Sequence, residues 1–378
     1  MKEIILITNS LKFGGAERIL LNIGEILSSN YKIIIFQSAK GKDFKCSDKF
    51  EIINLDHFFS NNSFLGKIFS GLISTIKLVY LKRKHPNAIS ISLTLRPNII
   101  NIFSKMLTHN KSFIYEVTTP SEIYKSKSLT ALLSKFFIRF FYKYADKIIA
   151  NSYGVRRDLL ENFFISKKIE MIYSPIDIKK NKLNVSDIDK LPKSKYRLVT
   201  VSRLDISKNI SLCIRSLAKL GNDFSLIVIG DGPELKNLKM LAKDLKISNK
   251  VVFTGFKTAP FTLFDKRDIF LFSSNIEGLP TVLVEALISG LSVISTDCRS
   301  GPREILDKKF TNNMLTCGYE VVSCGILIPV DHIDSMVEAI MHLVDNPNLI
   351  ERFRINAPYS YDRFSFESFK REFVKLID

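Results

Sequence analysis

Glu277 and Glu285 stand eight positions apart in the run Ser273-Ser-Asn-Ile-Glu277-Gly-Leu-Pro-Thr-Val-Leu-Val-Glu285. The preceding Asp268-Ile-Phe-Leu-Phe-Ser reads as a short buried strand, and Pro280 suits the first turn of a helix, where its missing N–H is unpaired anyway. The spacing predicts one carboxylate in the loop at the carboxyl end of a strand and the other about two turns into the next helix. In open α/β sheets, ligands bind at that strand end. The amides of Gly278, Leu279 and Thr281, around Pro280, crowd the positive end of the helix and favour an anion. Two carboxylates beside such amides suit a ligand with hydroxyls at both ends and phosphates between, the shape of a nucleotide-sugar. Alone, the pattern also fits a surface loop followed by a helix glutamate paired to a lysine.

Three other stations follow apolar strands. In Val201-Ser202-Arg203-Leu-Asp205-Ile-Ser-Lys208-Asn209, Arg203 ends a strand and Lys208 opens the next helix. Two cations bracketing a turn fit a diphosphate, the arginine through its rigid fork and the lysine as a mobile point charge. Gly14-Gly15, in Phe13-Gly14-Gly15-Ala16-Glu17-Arg18, opens a helix and lets a ligand approach the backbone. It lacks the GxGxxG dinucleotide spacing, and a plain strand–helix turn has the same look. Gly230-Asp-Gly-Pro-Glu234 reads equally well as a glycine–proline turn.

Such stations need strands to carry them, and apolar runs recur at Ile4–Thr8, Lys32–Phe36, Ala88–Leu93, Ser112–Val117 and Lys147–Asn151. They continue at Arg197–Ser202, Ser225–Gly230, Lys250–Gly255, Asp268–Ser273, Ser292–Thr296 and Gly325–Pro329. Helical segments alternate with them, so the expected class is α/β, two doubly wound domains built from βαβ units. The polar run Lys179–Lys195 is the natural linker.

At 378 residues with 46% apolar composition, the chain suffices for two cores. Met1-Lys-Glu passes straight into Ile4-Ile-Leu-Ile-Thr, too short for a secretory core. Cys46, Cys213, Cys298, Cys317 and Cys324 lack zinc-site spacing and read as reduced thiols of a cytoplasmic protein; the five histidines show no metal spacing either. No Asp-x-Asp-like pair is suitably placed, so no metal is expected. Residues 1–190 carry 30 Lys+Arg against 16 Asp+Glu, and the remainder 25 against 22, so the net +17 belongs mainly to the first half. The basic residues sit among apolar and aromatic ones from Lys67 to Lys84 and from Lys125 to Lys143, including Phe136, Phe137, Phe140 and Phe141. Neither segment has the roughly 20 apolar residues of a bilayer span. Both suggest docking on an anionic membrane surface, or else buried helices with solvated lysines. No nucleic-acid recognition motif accompanies the charge.

In this order, Gly14-Gly15, Arg203 with Lys208, Gly230-Asp-Gly-Pro-Glu234, Gly255-Phe256, Glu277 with Glu285, and Ser295-Thr-Asp-Cys-Arg-Ser-Gly301-Pro-Arg-Glu304 resemble the retaining glycosyltransferases of family 4 over essentially the whole chain. The resemblance implies a GT-B fold, two Rossmann-like domains facing across a cleft. Residues 1–185 would bind the acceptor and 186–359 the nucleotide-sugar, with a closing helix in 360–378 (candidate Phe364–Leu376) packing back on the first domain. The Ser-Gly-Pro-Arg-Glu-Ile-Leu ending and Tyr173-Ser-Pro-Ile-Asp177 are nearest to bacterial enzymes that add hexose or N-acetylhexosamine units during surface polysaccharide and lipopolysaccharide assembly.

That similarity gives Arg203 and Lys208 the leaving diphosphate, Glu277 the transferred sugar's hydroxyls, and Glu285 the ribose. Gly278, Leu279, Pro280 and Thr281 would lie near the donor, with Gly14, Gly15, Gly230 and Phe256 also on its side. Many relatives carry a histidine where this chain reads Tyr115-Glu116-Val-Thr118-Thr-Pro-Ser-Glu122. Glu116 or Thr118 takes that place on the acceptor side, or nothing does. Because the two glutamates point to different parts of the donor, front-face attack with retention is expected rather than double displacement. The partners implied are a UDP-linked sugar, a glycan or lipid-linked acceptor, and the inner face of the cytoplasmic membrane, with no cofactor. A nucleotide-sugar epimerase of similar fold, or a non-catalytic membrane-binding partner of a glycan assembly complex, stays open as an alternative.

Overall fold

The computed structural model describes residues 2–11, 14–39, 47–54, 64–165, 168–177, 192, 194–308 and 314–377, without the side chains of 64, 65 and 67. Much of the linker expected at Lys179–Lys195, and Cys46, lie outside these. The chain divides into two units: residues up to Ile176 together with Phe366 onward, and Asp177–Ser365.

The first unit contains β1 (Glu3–Thr8), α1 (Gly15–Leu27), β2 (Lys32–Gln37), β3 (Phe50–Asn54), α2 (Phe64–Lys84), β4 (Ile89–Leu93), α3 (Leu95–Met106) and β5 (Ser112–Glu116). It continues with α4 (Pro120–Ile123), α5 (Leu129–Phe141), β6 (Lys147–Ala150), α6 (Tyr153–Phe163) and β7 (Ile169–Met171). Its strands form one parallel sheet in the order β3-β2-β1-β4-β5-β6-β7. β4 and β5 are buried along their whole length, as befits inner strands covered on both faces. On one face, Ile19, Leu20, Ile23 and Leu27 of α1 meet Ile4, Leu6, Ile33 and Ile35. Their spacing puts the apolar residues on one helical stripe. On the other, Leu78 and Leu81 of α2 meet Ile5, Ile7 and Ile34.

The second unit contains β8 (Tyr196–Val201), α7 (Ile210–Lys219), β9 (Phe224–Ile229), α8 (Leu235–Asp244), β10 (Val251–Gly255), β11 (Ile269–Phe272), α9 (Thr281–Ile288) and β12 (Ser292–Thr296). It ends with α10 (Pro302–Leu306), β13 (Glu320–Val321), β14 (Ile326–Ile328), α11 (Ile333–Asp345) and α12 (Asn348–Tyr361). The sheet order is β10-β9-β8-β11-β12-β14-β13, with only β13 antiparallel. The last helix, α13 (Phe366–Ile377), returns to the first unit, where Phe369, Phe373 and Ile377 join the α1 side of its core.

Every strand expected from the sequence is present. Three were not expected: β3 and β7 are sheet-edge strands, and β13 is two residues long. The basic run Lys67–Lys84 needs a correction, because Lys82 is 0% exposed. Its Nζ donates to Asn101 Oδ1 and Ser112 Oγ, both at 2.9 Å, and burial pushes its pKa down to about 7. The phenylalanines of α5 divide as well. Phe136 and Phe140 are exposed, whereas Phe137 and Phe141 are half-buried against Phe103.

Candidate active site

The order of the second sheet reverses between β8 and β11, the place where doubly wound sheets hold ligands beyond their carboxyl strand ends. The loops leaving those two strands are tied together. Asn275 N donates to Ser207 O at 2.8 Å, and Ser273 Oγ to Lys208 O at 2.8 Å. Lys208 Nζ donates to Glu277 Oε1 at 2.6 Å, in a pair whose side chains are 25% and 12% exposed. Burial opposes the Lys208 charge, but the Glu277 carboxylate, its hydrogen bond and Asp205 outweigh it and hold the ammonium's pKa above its usual value.

The local geometry differs from expectation in four respects. Arg203 lies two residues beyond β8 rather than at its end. Lys208 closes a short 3-10 turn, Ile206–Lys208, instead of opening α7; Asn209, at φ 46°, separates the two. Asp205 caps that turn, accepting from Ser207 N at 3.0 Å. Pro280 is the N-cap of α9 rather than part of its first turn, and Glu285 is one turn in rather than two.

Arg203 stands at the solvent side of this cluster. Its side chain is 73% exposed, with Nε 4.0 Å from Asp205 Oδ2. Its backbone is nonetheless firmly set, since Leu204 N donates to Asp231 O and Glu234 N to Leu204 O, both at 2.9 Å. Gly230 makes this possible: at φ +142° its missing Cβ would lie 1.8 Å from Ser202 O. Phe256, 51% exposed, follows β10 at the sheet edge.

Beyond Glu277, no hydrogen bond among the described residues takes up the N–H groups of Gly278, Leu279, Thr281 or Val282. They are available to an anion. Glu285 lies on the same helix and is 4% exposed. Cys298 interacts with the lysine–glutamate pair; burial, then the Glu277 charge, push its thiol up, so it stays neutral. Among the described residues no group of three or more His, Cys, Asp or Glu stands placed to share a metal ion.

Two residues that sequence reasoning did not assign hold this loop. Ser300 Oγ donates to Gly278 O at 2.6 Å, and Gly301, at φ +96°, packs so closely that a Cβ would lie 2.3 Å from Pro280 Cδ. The turn they form is set by Arg303, which donates to Asp297 Oδ2 at 2.7 Å and to Glu320 at 2.8 Å. Only the Ser-Gly-Pro order hinted at it.

In the first unit the order reverses between β1 and β4. Gly14 is the N-cap of α1, and a Cβ on Gly15 would meet nothing within 4 Å, so space is open there. Thr94, beyond β4, holds φ 69° and ψ 160°, a region that β-branched residues avoid. Nothing in the sequence signalled it. Glu116, at the end of β5, is 1% exposed and accepts from Thr118 Oγ at 2.6 Å and the Tyr142 hydroxyl at 2.7 Å.

Family models agree with this anatomy. The model described as Glycosyltransferase Family 4 matches residues 13–180, and Glycosyl transferases group 1 matches 182–359. The chain is a glycosyltransferase, with one of these domains in each half. The transferase is 29% identical, over the full length of both chains, to the N-acetylgalactosamine-N,N'-diacetylbacillosaminyl-diphospho-undecaprenol 4-alpha-N-acetylgalactosaminyltransferase of Campylobacter jejuni. It is 26% identical to the lipopolysaccharide 1,6-galactosyltransferase of Salmonella typhimurium, over 62% of this chain and 63% of that one. Among solved structures it resembles Anabaena HepE in complex with UDP and glucose, with TM-score 0.79 and 19% identity over 100% and 99% of the two chains. The transferase therefore has the GT-B fold, two Rossmann-like domains, one in each unit.

Proposed function

We propose that this glycosyltransferase moves a hexose or N-acetylhexosamine from a nucleotide-sugar to a lipid-linked glycan during bacterial surface polysaccharide assembly, with retention at the transferred carbon. The observation that carries the reading is the junction of the β8 and β11 loops. It sets Lys208 against Glu277, beside the N–H groups that open α9, with Arg203 reaching outward. A diphosphate placed there meets two cations and a helix N-terminus. The acceptor class follows the Campylobacter jejuni relative, whose name specifies a diphospho-undecaprenol-linked sugar. The UDP in the similarly folded HepE complex makes UDP-sugars the first donors to test.

In this reading the acceptor hydroxyl attacks the anomeric carbon on the face the phosphate leaves, and the departing phosphate oxygen takes its proton. Negative charge grows on the diphosphate as the C–O bond breaks, so Arg203 and Lys208 stabilise the transition state more than the ground state. Glu277 holds the sugar hydroxyls and Glu285 the ribose. Gly15 leaves space for ligand at the start of α1, behind the Gly14 N-cap, and Gly230 and Phe256 frame the donor side. Glu285→Gln is then expected to raise the donor Kd with little change in kcat, whereas Glu277→Gln lowers kcat as well. Titration with UDP-sugars and steady-state rates decide it; an unchanged donor Kd in Glu285→Gln removes the ribose role. An α-linked product from an α-linked donor, read by NMR, tests retention.

Docking at the inner membrane face belongs to the same reading. No helix among the described residues is long and apolar enough to cross a membrane. α2 and α5 both pack on α3, and each presents an exposed apolar stripe: Phe69, Leu72, Ile76 and Tyr80 on one, Leu132, Phe136 and Phe140 on the other. Arg139 lies over the Phe164 ring at 4.9 Å and Lys143 over Tyr144 at 5.3 Å, joining cation to ring. Each cation near an anionic leaflet contributes on the order of 1 kcal/mol. The protein is expected to co-sediment with anionic liposomes, poorly with neutral ones, and less as salt rises. Changing Lys135, Arg139 and Lys143 together to glutamate releases it without altering donor binding. Equal sedimentation with neutral vesicles overturns the electrostatic part.

A further inference from the structure

We infer that Thr118 contacts a sugar hydroxyl of the acceptor, with its own hydroxyl held as a hydrogen-bond acceptor by Glu116, and that Tyr142 and Asn98 are positioning residues for that pair. This rests on the acceptor binding to the first unit. A single chain of hydrogen bonds crosses the core of that unit, and every donor in it points the same way. Lys82 Nζ donates to Asn101 Oδ1 at 2.9 Å, and Asn101 Nδ2 to Ser92 Oγ at 3.1 Å. Ser92 Oγ then donates to Asn98 Oδ1 at 2.8 Å, Asn98 Nδ2 to the Tyr142 hydroxyl at 3.0 Å, and Tyr142 to Glu116 Oε2 at 2.7 Å. An amide oxygen only accepts and an amide nitrogen only donates, so Asn101 and Asn98 set the direction of the links whichever form Lys82 takes. The chain ends in a carboxyl group that receives Tyr142 on one oxygen, and both the hydroxyl (2.6 Å) and the N–H (3.3 Å) of Thr118 on the other. Aligned donors of this kind polarise one another in a low-dielectric core.

The terminus of the chain has the ionised form of Glu116 as its best partner. With both oxygens accepting, the Thr118 proton is committed inward and its lone pairs face outward from a half-buried position at the carboxyl end of β5. A protonated Glu116 must itself donate, and then Thr118 or Tyr142 has to turn its hydroxyl away. Thr118 would change from acceptor to donor. Burial raises the Glu116 pKa, and the hydrogen bonds from Thr118 and Tyr142 oppose the rise. The titratable groups facing it are Tyr142 and Tyr124, the latter pushed up to about 12 by burial and then by Glu116 itself. Asp158, on α6, is engaged by Ser121 and Asn162. Thr94, at the end of the neighbouring β4, independently marks this edge, since a β-branched residue at φ 69° and ψ 160° is the kind of backbone outlier that clusters at ligand sites.

The test compares pH profiles of acceptor kcat/KM for the unmodified enzyme and for Tyr142→Phe, Thr118→Val and Thr118→Ser. Losing one hydrogen bond to the charged carboxylate should move the acid limb of Tyr142→Phe upward by about one to two pH units, with its plateau within severalfold. Asn98→Ala, which frees the phenol, should move it the same way and serves if Tyr142→Phe does not fold. Thr118→Val should raise acceptor KM about tenfold and flatten the limb, and Thr118→Ser should restore both. An acid limb unmoved in Tyr142→Phe while activity falls evenly at all pH, or an unchanged acceptor KM in Thr118→Val, overturns the inference. The Glu116 carboxyl band, identified by its loss in Glu116→Gln infrared difference spectra, titrates without any acceptor. A band that moves in Tyr142→Phe while no lipid-linked acceptor is used would leave the hydrogen-bond chain standing and reject the acceptor reading; a band that does not move rejects the chain.

Discussion

Arg203→Ala is expected to lower kcat by at least about 10²-fold, the loss typical of removing one donor to a developing oxyanion, while leaving Tm unchanged. The guanidinium is mostly exposed and its ion-pair partner among the described residues, Asp205, is 4.0 Å away, so its removal strands no buried charge. Lys208→Ala is expected to lose as much turnover but also to melt earlier. Its 2.6 Å partner Glu277 is 12% exposed and would keep a charge without its cation. A fully buried broken pair costs about 3–5 kcal/mol, so this partly solvated one should cost about 1–3 kcal/mol. Steady-state rates with a nucleotide-sugar and thermal melting of both variants decide the matter. Near-normal turnover in both sinks the diphosphate assignment; equal melting temperatures sink the coupling of Lys208 to Glu277.

The second large effect is expected at a residue that touches no reacting atom. Gly301→Ala would place a methyl group 2.3 Å from Pro280 Cδ and 2.9 Å from Gly278 O, on a backbone at φ +96°. Overpacking and a strained φ together should cost about 2–4 kcal/mol, released in part by pushing the Gly278–Pro280 loop outward. The opening N–H groups of α9 would move with it, so the donor Kd should rise at least about tenfold, the equivalent of about 1.4 kcal/mol. Ser300→Ala, which removes the 2.6 Å hydrogen bond to Gly278 O without adding bulk, should give a milder effect in the same direction. A folded Gly301→Ala protein with an unchanged donor Kd would show that the loop position does not control donor binding.

The strands were legible because inner parallel strands are continuous apolar runs, as in Ile4-Ile-Leu-Ile and Ile269-Phe-Leu-Phe. β3 escaped notice for the opposite reason. Phe50-Glu-Ile-Ile-Asn lies at a sheet edge and is polar where it meets solvent. The residue types of the donor site could be read from motifs, but their pairing could not. Lys208 and Glu277 are 69 positions apart, and only the neighbouring of β8 and β11 brings them together. Lys82 misled for a related reason, since its sequence neighbours Arg83 and Lys84 suggest a solvated face while the partners that bury it come from α3 and β5. The chain from Lys82 to Glu116 draws on five separate elements or turns and leaves no local pattern.

Helix α13 has a consequence for how the protein is made. Phe369, Phe373 and Ile377 complete a core that also contains Ile4 and Leu6, so the first unit lacks a wall until the whole of Asp177–Ser365 has been synthesised. At bacterial elongation rates of about 5–20 residues per second, that wait lasts roughly ten to forty seconds. During it the nascent sheet shows solvent, and any chaperone on hand, a patch of isoleucine and leucine beside α1. A chain cut short ahead of Phe366 never closes that patch, and premature termination near the end of the message therefore damages the fold made at its beginning.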